Sequence, residues 1–361
     1  MAEPDPRPLG FFPGSPVPRL YDRVVAVMRT RRYSRRTEKA YAYWIGRFIR
    51  FRGGVHPRLL SVEDVSAFLT HLAVEERVAE STQNQALAAL LFLYDKVLSQ
   101  PLHRIEAVVR AQKPKRLPVV LSREEVAVVL PLVGGVPGLV SALLYGSGAR
   151  VEEGLSVRVK DLDFDRGELV IRDGKGMKDR VTMLPQCLHE PLRAHLRVVR
   201  KQQVADLGMG LGRVPLPDAL ARKYPNADRA WGWQWVFPAS RHYTDRVTGI
   251  RHRHHLHASV VEKAVRQAAL RAGIAKHVTP HTFRHSFATH LLEDGYDIRT
   301  VQELLSHRDV RTTMIYTHVL NRGVRGVRSP LDGLGLGPDG SRRRTGIIRP
   351  ARQDKPLVDK G

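Results

Sequence analysis

The segment HTFRHSFATHLLEDG, residues 281–295, carries the clearest combination of helical pattern and chemistry in this chain. Its apolar residues follow helical spacing, and a glycine ends the pattern. His281 and Arg284 are three residues apart, so they share one helix face and can reach the same anion. His281 and His285 have the i, i+4 spacing of a zinc-binding helix, but the glutamate of an HExxH motif does not stand between them. His285 and His290 are therefore assigned no role in the chemistry.

Downstream, the segment LLSHRDVRTTMIYTHVL, residues 304–320, again has helical spacing and contains His307 and Tyr316. A single tyrosine in such a helix is either a half-buried aromatic or an oxygen nucleophile. Free tyrosine has a pKa of about 10, so attack on a phosphate at neutral pH needs a nearby base or a strong positive field. The residues upstream decide between these two interpretations.

Two upstream segments contain cations that could meet a phosphate. In YGSGARVEEGLSV, Arg150 follows a Gly-Ser-Gly turn and can present a bidentate fork to a phosphate, or simply pair with Glu153. In DGKGMKDR, Lys175 lies in a turn between strands predicted at 168–172 and 180–184. It could be the general acid that protonates a departing sugar oxygen, or an ordinary exposed lysine. The turn lacks the Gly-Lys-Ser/Thr ending of a P-loop.

The charge balance indicates a polyanionic partner. Lys and Arg number 59 against 36 Asp and Glu, which gives a net charge of +23 and a pI near 10.7. Nucleic acid is the expected partner, because bound phosphates release condensed counterions. A membrane is not expected, because no 18-residue apolar run exists. The single cysteine, Cys187, rules out an intrachain disulfide and a Cys-based zinc site, and with the lack of a secretory signal it favours the cytoplasm.

The predicted fold is mainly α with a small β-hairpin, and its catalytic domain is of the α+β class. The predicted divisions are a disordered lead-in at 1–18, a helical DNA-binding domain at 19–105, a basic linker at 106–121, a catalytic domain at 122–330 and a disordered basic tail at 331–361. Phosphate contacts are predicted on the basic helix faces and the linker, for which a merely solvated surface is the alternative: Arg31, Arg32, Arg35, Arg36, Lys39, Lys113, Lys115 and Arg116.

Residues 206–257, called the insertion below, are rich in Pro, Trp and His and have little periodicity. The insertion contains the motif WGWQW and, shortly after it, four histidines between 252 and 257. Aromatic rings beside cationic groups can stack unpaired bases. The alternatives are a strand with one face in the core for the tryptophans, and a solvated basic run or a zinc site for the histidines.

The order Arg, Lys, His-x-x-Arg, His, Tyr between residues 150 and 316 resembles that of the tyrosine recombinases, as do the segments GKGMKDR, HTFRHSFATHLL, YDIRTVQELL and TTMIYTHVL. Within that family, the segments LPDALARKYPNADRAWGWQWVFPAS and RHRHHLHASVVEKAV resemble the segment that is particular to integron integrases. The resemblance covers roughly residues 20–330. It implies a two-domain, C-shaped clamp around DNA and a homotetramer on paired sites.

The resemblance also implies an active site that needs no metal or other cofactor: Arg150, Lys175, His281, Arg284, His307 and Tyr316, with Glu153 supporting the first arginine. In this scheme His281 is the base toward Tyr316, which becomes a 3′-phosphotyrosine. The insertion would capture extrahelical bases of folded single-stranded cassette sites. Candidate contacts are Trp233, His254 and His255, followed by Tyr224 and Pro238.

Two residues depart from the family pattern. Ser306 stands where glycine is usual, which matters if the backbone there needs a positive φ, and Ala149 differs from the usual residue before Arg150. Other functions remain open on the sequence alone. A type IB topoisomerase shares much of the chemistry, a DNA-binding regulator could retain an idle recombinase domain, and a zinc hydrolase is a further alternative.

Overall fold

The computed structural model describes residues 19–102, 117–172, 179–245, 248–306 and 309–316. The chain divides into two compact units, Met1–Arg116 and Leu117–Gly361. The described residues form a helix-rich structure with small sheets, which confirms the predicted fold class. Several predictions lie outside the described residues: the two disordered ends, Lys175, His307 and the linker cations Lys113, Lys115 and Arg116.

The first unit contains four helices. They are α1 Leu20–Thr30, α2 Arg35–Phe51, α3 Val62–Val74 and α4 Glu80–Phe92, the last of which continues as a π-helical segment, Leu93–Val97. Ser34 caps α2 by accepting a hydrogen bond from the Thr37 amide at 3.1 Å, as its position in the sequence predicts. The helical spacing of α2 directs Trp44 and Phe48 into the core of this unit, where both are buried.

The second unit contains nine helices and five strands among its described residues. The helices are α5 Arg123–Val133, α6 Gly135–Ser147, α7 Val151–Leu155, α8 His189–Gly208, α9 Asp218–Lys223, α10 Ala258–Arg271, α11 Pro280–Glu293, α12 Ile298–Leu305 and α13 Val310–Met314. The strands are β1 Leu162–Asp163, β2 Glu168–Ile171, β3 Arg180–Met183, β4 Pro238–Thr244 and β5 Arg251–His255. They form two antiparallel sheets, β1-β2-β3 and β4-β5.

The hairpin predicted around the turn at 173–180 is present as β2 and β3. Their register pairs Ile171 with Arg180, which puts Arg180 at the first position of β3. The second hairpin, β4–β5, was not predicted, because charged, aromatic and imidazole side chains occur along both strands without a two-residue alternation.

The structure excludes one alternative and corrects one prediction. The alternative of a strand does not apply to the first three residues of WGWQW, which form a single 3₁₀ turn, Trp231–Trp233. The sequence predicts a helix at 259–272 capped by Ser259, but α10 is capped by His257, whose Nδ1 accepts from the Ser259 amide at 3.2 Å. Since α10 begins at Ala258, Ser259 already lies inside the helix.

Helix α11 is buried on almost all sides, which brings its polar residues into the interior. Phe283 and Phe287, two of the apolar residues at helical spacing, are buried, and Arg284, Ser286 and His290 are buried as well. A helix surrounded in this way can hold a charged side chain only if that side chain is paired or hydrogen-bonded. No helix among the residues that the structure describes is long and apolar enough to cross a membrane.

Candidate active site and DNA-contacting surfaces

The carboxylate of Glu153 on α7 is bound by two arginines from different elements. Arg150, immediately before α7, donates from Nη1 to Oε1 at 2.6 Å and from its backbone amide to Oε2 at 2.8 Å. Arg180 on β3 donates from Nη2 to Oε2 at 2.7 Å and from Nη1 to Oε1 at 3.2 Å. The Glu153 and Arg180 side chains are only 9% and 7% exposed, so this ion pair is buried.

Arg284 reaches the same carboxylate from α11. Its Nη1 lies 3.9 Å from Glu153 Oε2 and donates to the carbonyl of Gly148, while Nη2 donates to the carbonyl of Leu305 at 2.7 Å. These bonds fix the guanidinium between the turn before α7 and the end of α12. Because Arg150 and Arg284 adjoin one carboxylate, both can approach one phosphate.

The surroundings lower the pKa of both Glu153 and Arg284, but for different reasons. Burial alone would raise the pKa of Glu153, but the hydrogen bonds and charges of Arg180 and Arg150 outweigh it and hold the pKa at about 2. Burial, followed by repulsion from Arg150, lowers the pKa of Arg284 to about 10. Glu153 and Arg284 are therefore both ionised at neutral pH, and three guanidinium groups around one carboxylate favour binding of an anion.

Tyr316 follows α13 and is only 1% exposed. Its ring packs in a small apolar cluster with Phe287, Ala288, Val301 and Leu305. Burial raises the pKa of Tyr316, whereas the positive charges of Arg284 and Arg150 act to lower it. The hydroxyl is therefore within electrostatic reach of both arginines.

The imidazole that contacts this hydroxyl is that of His285. Its Nδ1 lies 2.9 Å from Tyr316 Oη, and the two ring centroids are 5.6 Å apart. Burial, followed by the nearby His281 and Arg284, lowers the pKa of His285 to about 4, so the ring is neutral at pH 7. His281 lies on the exposed side of the first turn of α11, and its role as base toward Tyr316 stays a prediction.

Arg180 also contacts the end of α12. Arg180 lies five residues after Lys175, and its Nε donates to the carbonyl of Leu304 at 3.1 Å, three residues before His307. Arg180 thus joins the end of the hairpin and the end of α12 to Glu153. Sequence reasoning missed both Arg180 and the contact of His285, although the i, i+4 spacing of His281 and His285 already put those two on one helix face.

Ser306 has the backbone conformation that makes its departure from glycine significant. It is the C-cap of α12 and has φ 50° and ψ 50°, in the left-handed region. An L-residue there is strained by contact of its Cβ with the backbone. The backbone at residue 306 therefore has the positive φ at which serine in place of the usual glycine matters.

The basic residues predicted to bind DNA in the first unit are exposed around the start of α2. This set comprises Arg31, Arg32, Arg35, Arg36 and Lys39. Nearby, Arg29 pairs with Glu38 at 3.2 Å, which partly offsets the local positive charge. Contact of the five exposed residues with phosphate stays a prediction.

Arg158, which precedes the insertion in the sequence, contacts the aromatic candidates within it. Its Nη1 donates to the carbonyl of Trp233 at 2.6 Å, and its guanidinium lies 3.5 Å from the ring centre of the buried Trp235. Trp235 in turn contacts the rings of His254 and His255 at centroid distances of 5.7 and 5.2 Å. Trp233, His254 and His255 therefore belong to one connected group of rings and cations.

The outer member of this group is Trp233. The Nζ of Lys160 lies 2.9 Å from its ring centre, whereas Trp235 beneath Arg158 is buried. Pro238 pairs with His255 in the β4–β5 hairpin, and Tyr224 is 48% exposed beside Lys223. Among the described residues, no three His, Cys, Asp or Glu side chains are grouped so that they could hold a metal ion.

Comparison with known proteins identifies the family. Residues 138–322 match the model of the phage integrase family, and residues 20–104 match its N-terminal SAM-like domain. The chain belongs to the phage integrase family. These tyrosine recombinases cut and rejoin DNA, so the tyrosine recombinase part of the resemblance is confirmed.

Individual relatives agree with this assignment. An integrase/recombinase of Escherichia coli is 51% identical over 316 residues, which is 88% of this chain and 94% of that protein. The tyrosine recombinase XerA of Thermococcus kodakarensis is 30% identical over 286 residues, 78% of this chain and 84% of that protein. The crystal structure of a lambda integrase (75–356) dimer bound to a COC′ core site has the same fold, with a TM-score of 0.58 at 16% identity over 86% of this chain and 98% of that chain.

Proposed function

We propose that this tyrosine recombinase is of the integron type and cuts DNA through Tyr316. The observation that carries the proposal is the convergence of Arg150 and Arg284 on Glu153, with the Tyr316 hydroxyl inside their electrostatic reach. A fixed pair of guanidinium groups is suited to the charge that develops on a phosphate under attack. Burial raises the pKa of Tyr316, and the charges of Arg284 and Arg150 oppose that effect, as the activation of a tyrosine nucleophile requires.

In the proposed reaction, Arg150 and Arg284 bind the non-bridging oxygens of the scissile phosphate. His281 takes the phenolic proton as Tyr316 Oη bonds to phosphorus, and Lys175 protonates the departing 5′ oxygen as the P–O5′ bond breaks. His307 donates a hydrogen bond to the phosphate. One ester replaces another in the 3′-phosphotyrosine, so attack by the 5′-hydroxyl of a second strand reverses the step without ATP.

The insertion supports an integron-type substrate. A group that contains Trp233, Arg158 and the His254–His255 pair combines flat rings with positive charge, which is suited to unpaired bases that project from folded DNA. The proposed activity inserts and excises gene cassettes in the bacterial cytoplasm, on duplex attachment sites and on folded single-stranded cassette sites. Four copies of the chain would assemble on two paired sites.

The cleavage step is tested by mixing the protein, without added metal, with a radiolabelled folded cassette-site strand that is nicked near the cleavage position. We expect an SDS-stable protein–DNA adduct that is absent with Tyr316→Phe. Tight binding without an adduct would instead support a DNA-binding regulator with an idle recombinase domain. Relaxation of a supercoiled plasmid without strand exchange would support a topoisomerase.

The base-capture step is tested with Trp233→Ala. Loss of one stacked base is expected to reduce recombination of folded cassette sites by about tenfold, with little change on a duplex site. Trp233→Phe is the matched control, because it retains a ring on which a base can stack. An equal loss on folded and duplex sites would rule out this role for Trp233.

A further inference from the structure

Tyr316 is enclosed in the described structure, which is unexpected for a residue proposed to attack DNA. The side chain is 1% exposed and its ring contacts the apolar cluster formed with α11 and α12. A phosphate outside the protein cannot meet Oη in this arrangement. The hydroxyl has to move outward before it can react.

A buried hydroxyl is tolerated when it is hydrogen-bonded, and His285 provides such a bond. Its Nδ1 lies 2.9 Å from Tyr316 Oη, and the side chain projects from the central helix α11 one residue after Arg284. Removing one partner of a buried hydrogen bond leaves the other with the full cost of its desolvation. The bond therefore favours the enclosed position of the tyrosine over an exposed one.

We propose that His285 is a positioning residue that holds Tyr316 in this enclosed place, beside the arginine cluster, until DNA is bound. The bond has a counterpart on the same helix, where His290 Nδ1 lies 2.9 Å from the hydroxyl of Tyr145. His290 also contacts the carbonyl of Leu121 through Nε2 at 3.0 Å. Tyr145 thus supplies an internal reference for the integrity of α11.

This role of His285 rests on the proposed function, in which Tyr316 is the nucleophile. Its test needs no DNA, so a failure here is distinguishable from a failure of the proposed function. The full chain is treated with tetranitromethane at pH 8, and nitration of individual tyrosines is followed by peptide mass spectrometry. In the wild type, Tyr316 should react much more slowly than Tyr224, which is 48% exposed.

His285→Ala removes the hydrogen bond between Nδ1 and the hydroxyl, so Tyr316 should be nitrated about tenfold faster. His285→Asn keeps a polar group near the position of Nδ1 and should restore slow nitration. Tyr145 and Tyr224 should react at unchanged rates in both variants.

Three results would overturn the proposal. They are wild-type nitration of Tyr316 as fast as that of Tyr224, an unchanged rate in His285→Ala, and equal acceleration in His285→Ala and His285→Asn. The last result would show that the imidazole only fills space. If His285→Ala also accelerates nitration of Tyr145, helix α11 is disrupted in that variant. The comparison of wild type with His285→Asn then decides, and both should nitrate Tyr316 at the same slow rate.

Discussion

Replacing Glu153 with glutamine removes the negative charge that three arginines share. The wild-type carboxylate accepts from Arg150 and Arg180 and lies 3.9 Å from Arg284. Its pKa is held at about 2, against an ordinary value of 4.5, which corresponds to about 3 kcal/mol of folding free energy at neutral pH. Breaking a buried ion pair from one side costs about 3–5 kcal/mol, in agreement with that figure. We therefore expect Glu153→Gln to lower the free energy of unfolding by about 3 kcal/mol at pH 7.

The pH dependence follows from the direction of the shift. Because the pKa is lower in the folded state, the stabilisation is complete above about pH 4.5 and is lost as the pH falls toward 2. The difference between wild type and Glu153→Gln should therefore be constant from pH 7 to pH 6. At pH 3.5 it should be smaller by roughly 1.5 kcal/mol.

Urea unfolding followed by tryptophan fluorescence measures this difference. Of the four tryptophans, only Trp44 lies in the first unit, so a Trp44→Phe background confines the signal to the second unit. Glu152→Gln is the matched control, since Glu152 is an exposed neighbour on the same helix, and it should change stability little. A loss below 1 kcal/mol for Glu153→Gln, or a difference that does not vary with pH, would refute the reasoning.

Three further changes test the backbone and the DNA contacts. Ser306→Gly should raise the free energy of unfolding by about 1 kcal/mol, because φ is 50° there and glycine relieves the strain. Urea unfolding measures this change, and a lower stability of the variant would show that the serine is not strained. Gly148→Ala should lower the free energy of unfolding by more than 2 kcal/mol in the same assay, because φ is +65° and the new Cβ would lie 2.5 Å from Phe287. Gly273→Ala is the control, since φ is +69° and no atom lies within 4 Å, and it should cost only about 1 kcal/mol. Equal losses in the two variants would show that contact with Phe287 does not matter. Arg36→Gln should reduce the slope of log K against log salt for duplex binding by about 0.9, whereas an unchanged slope would mean that Arg36 contacts no phosphate.

The sequence by itself determined the features that depend on near neighbours. The 3.6-residue spacing of apolar residues predicted α2 and α11, and Ser34 capped α2 as expected. The hairpin around the turn at 173–180 followed from the alternation of its strands and its glycines. The order of Arg, Lys, His-x-x-Arg, His and Tyr between residues 150 and 316 indicated the enzyme family. This order can be read from the sequence without knowing the distances between the side chains.

Only the tertiary structure decided which of these groups meet. Arg180 is 27 residues from Glu153 and His285 is 31 residues from Tyr316, separations at which no local pattern records a contact. The β4–β5 hairpin was missed for the same reason, since buried pairs such as Arg253 with Asp206 stabilise it in place of an apolar alternation. Burial of a polar side chain depends on partners brought together by packing, so periodicity and motif order predict which residues are available but not which ones bind each other.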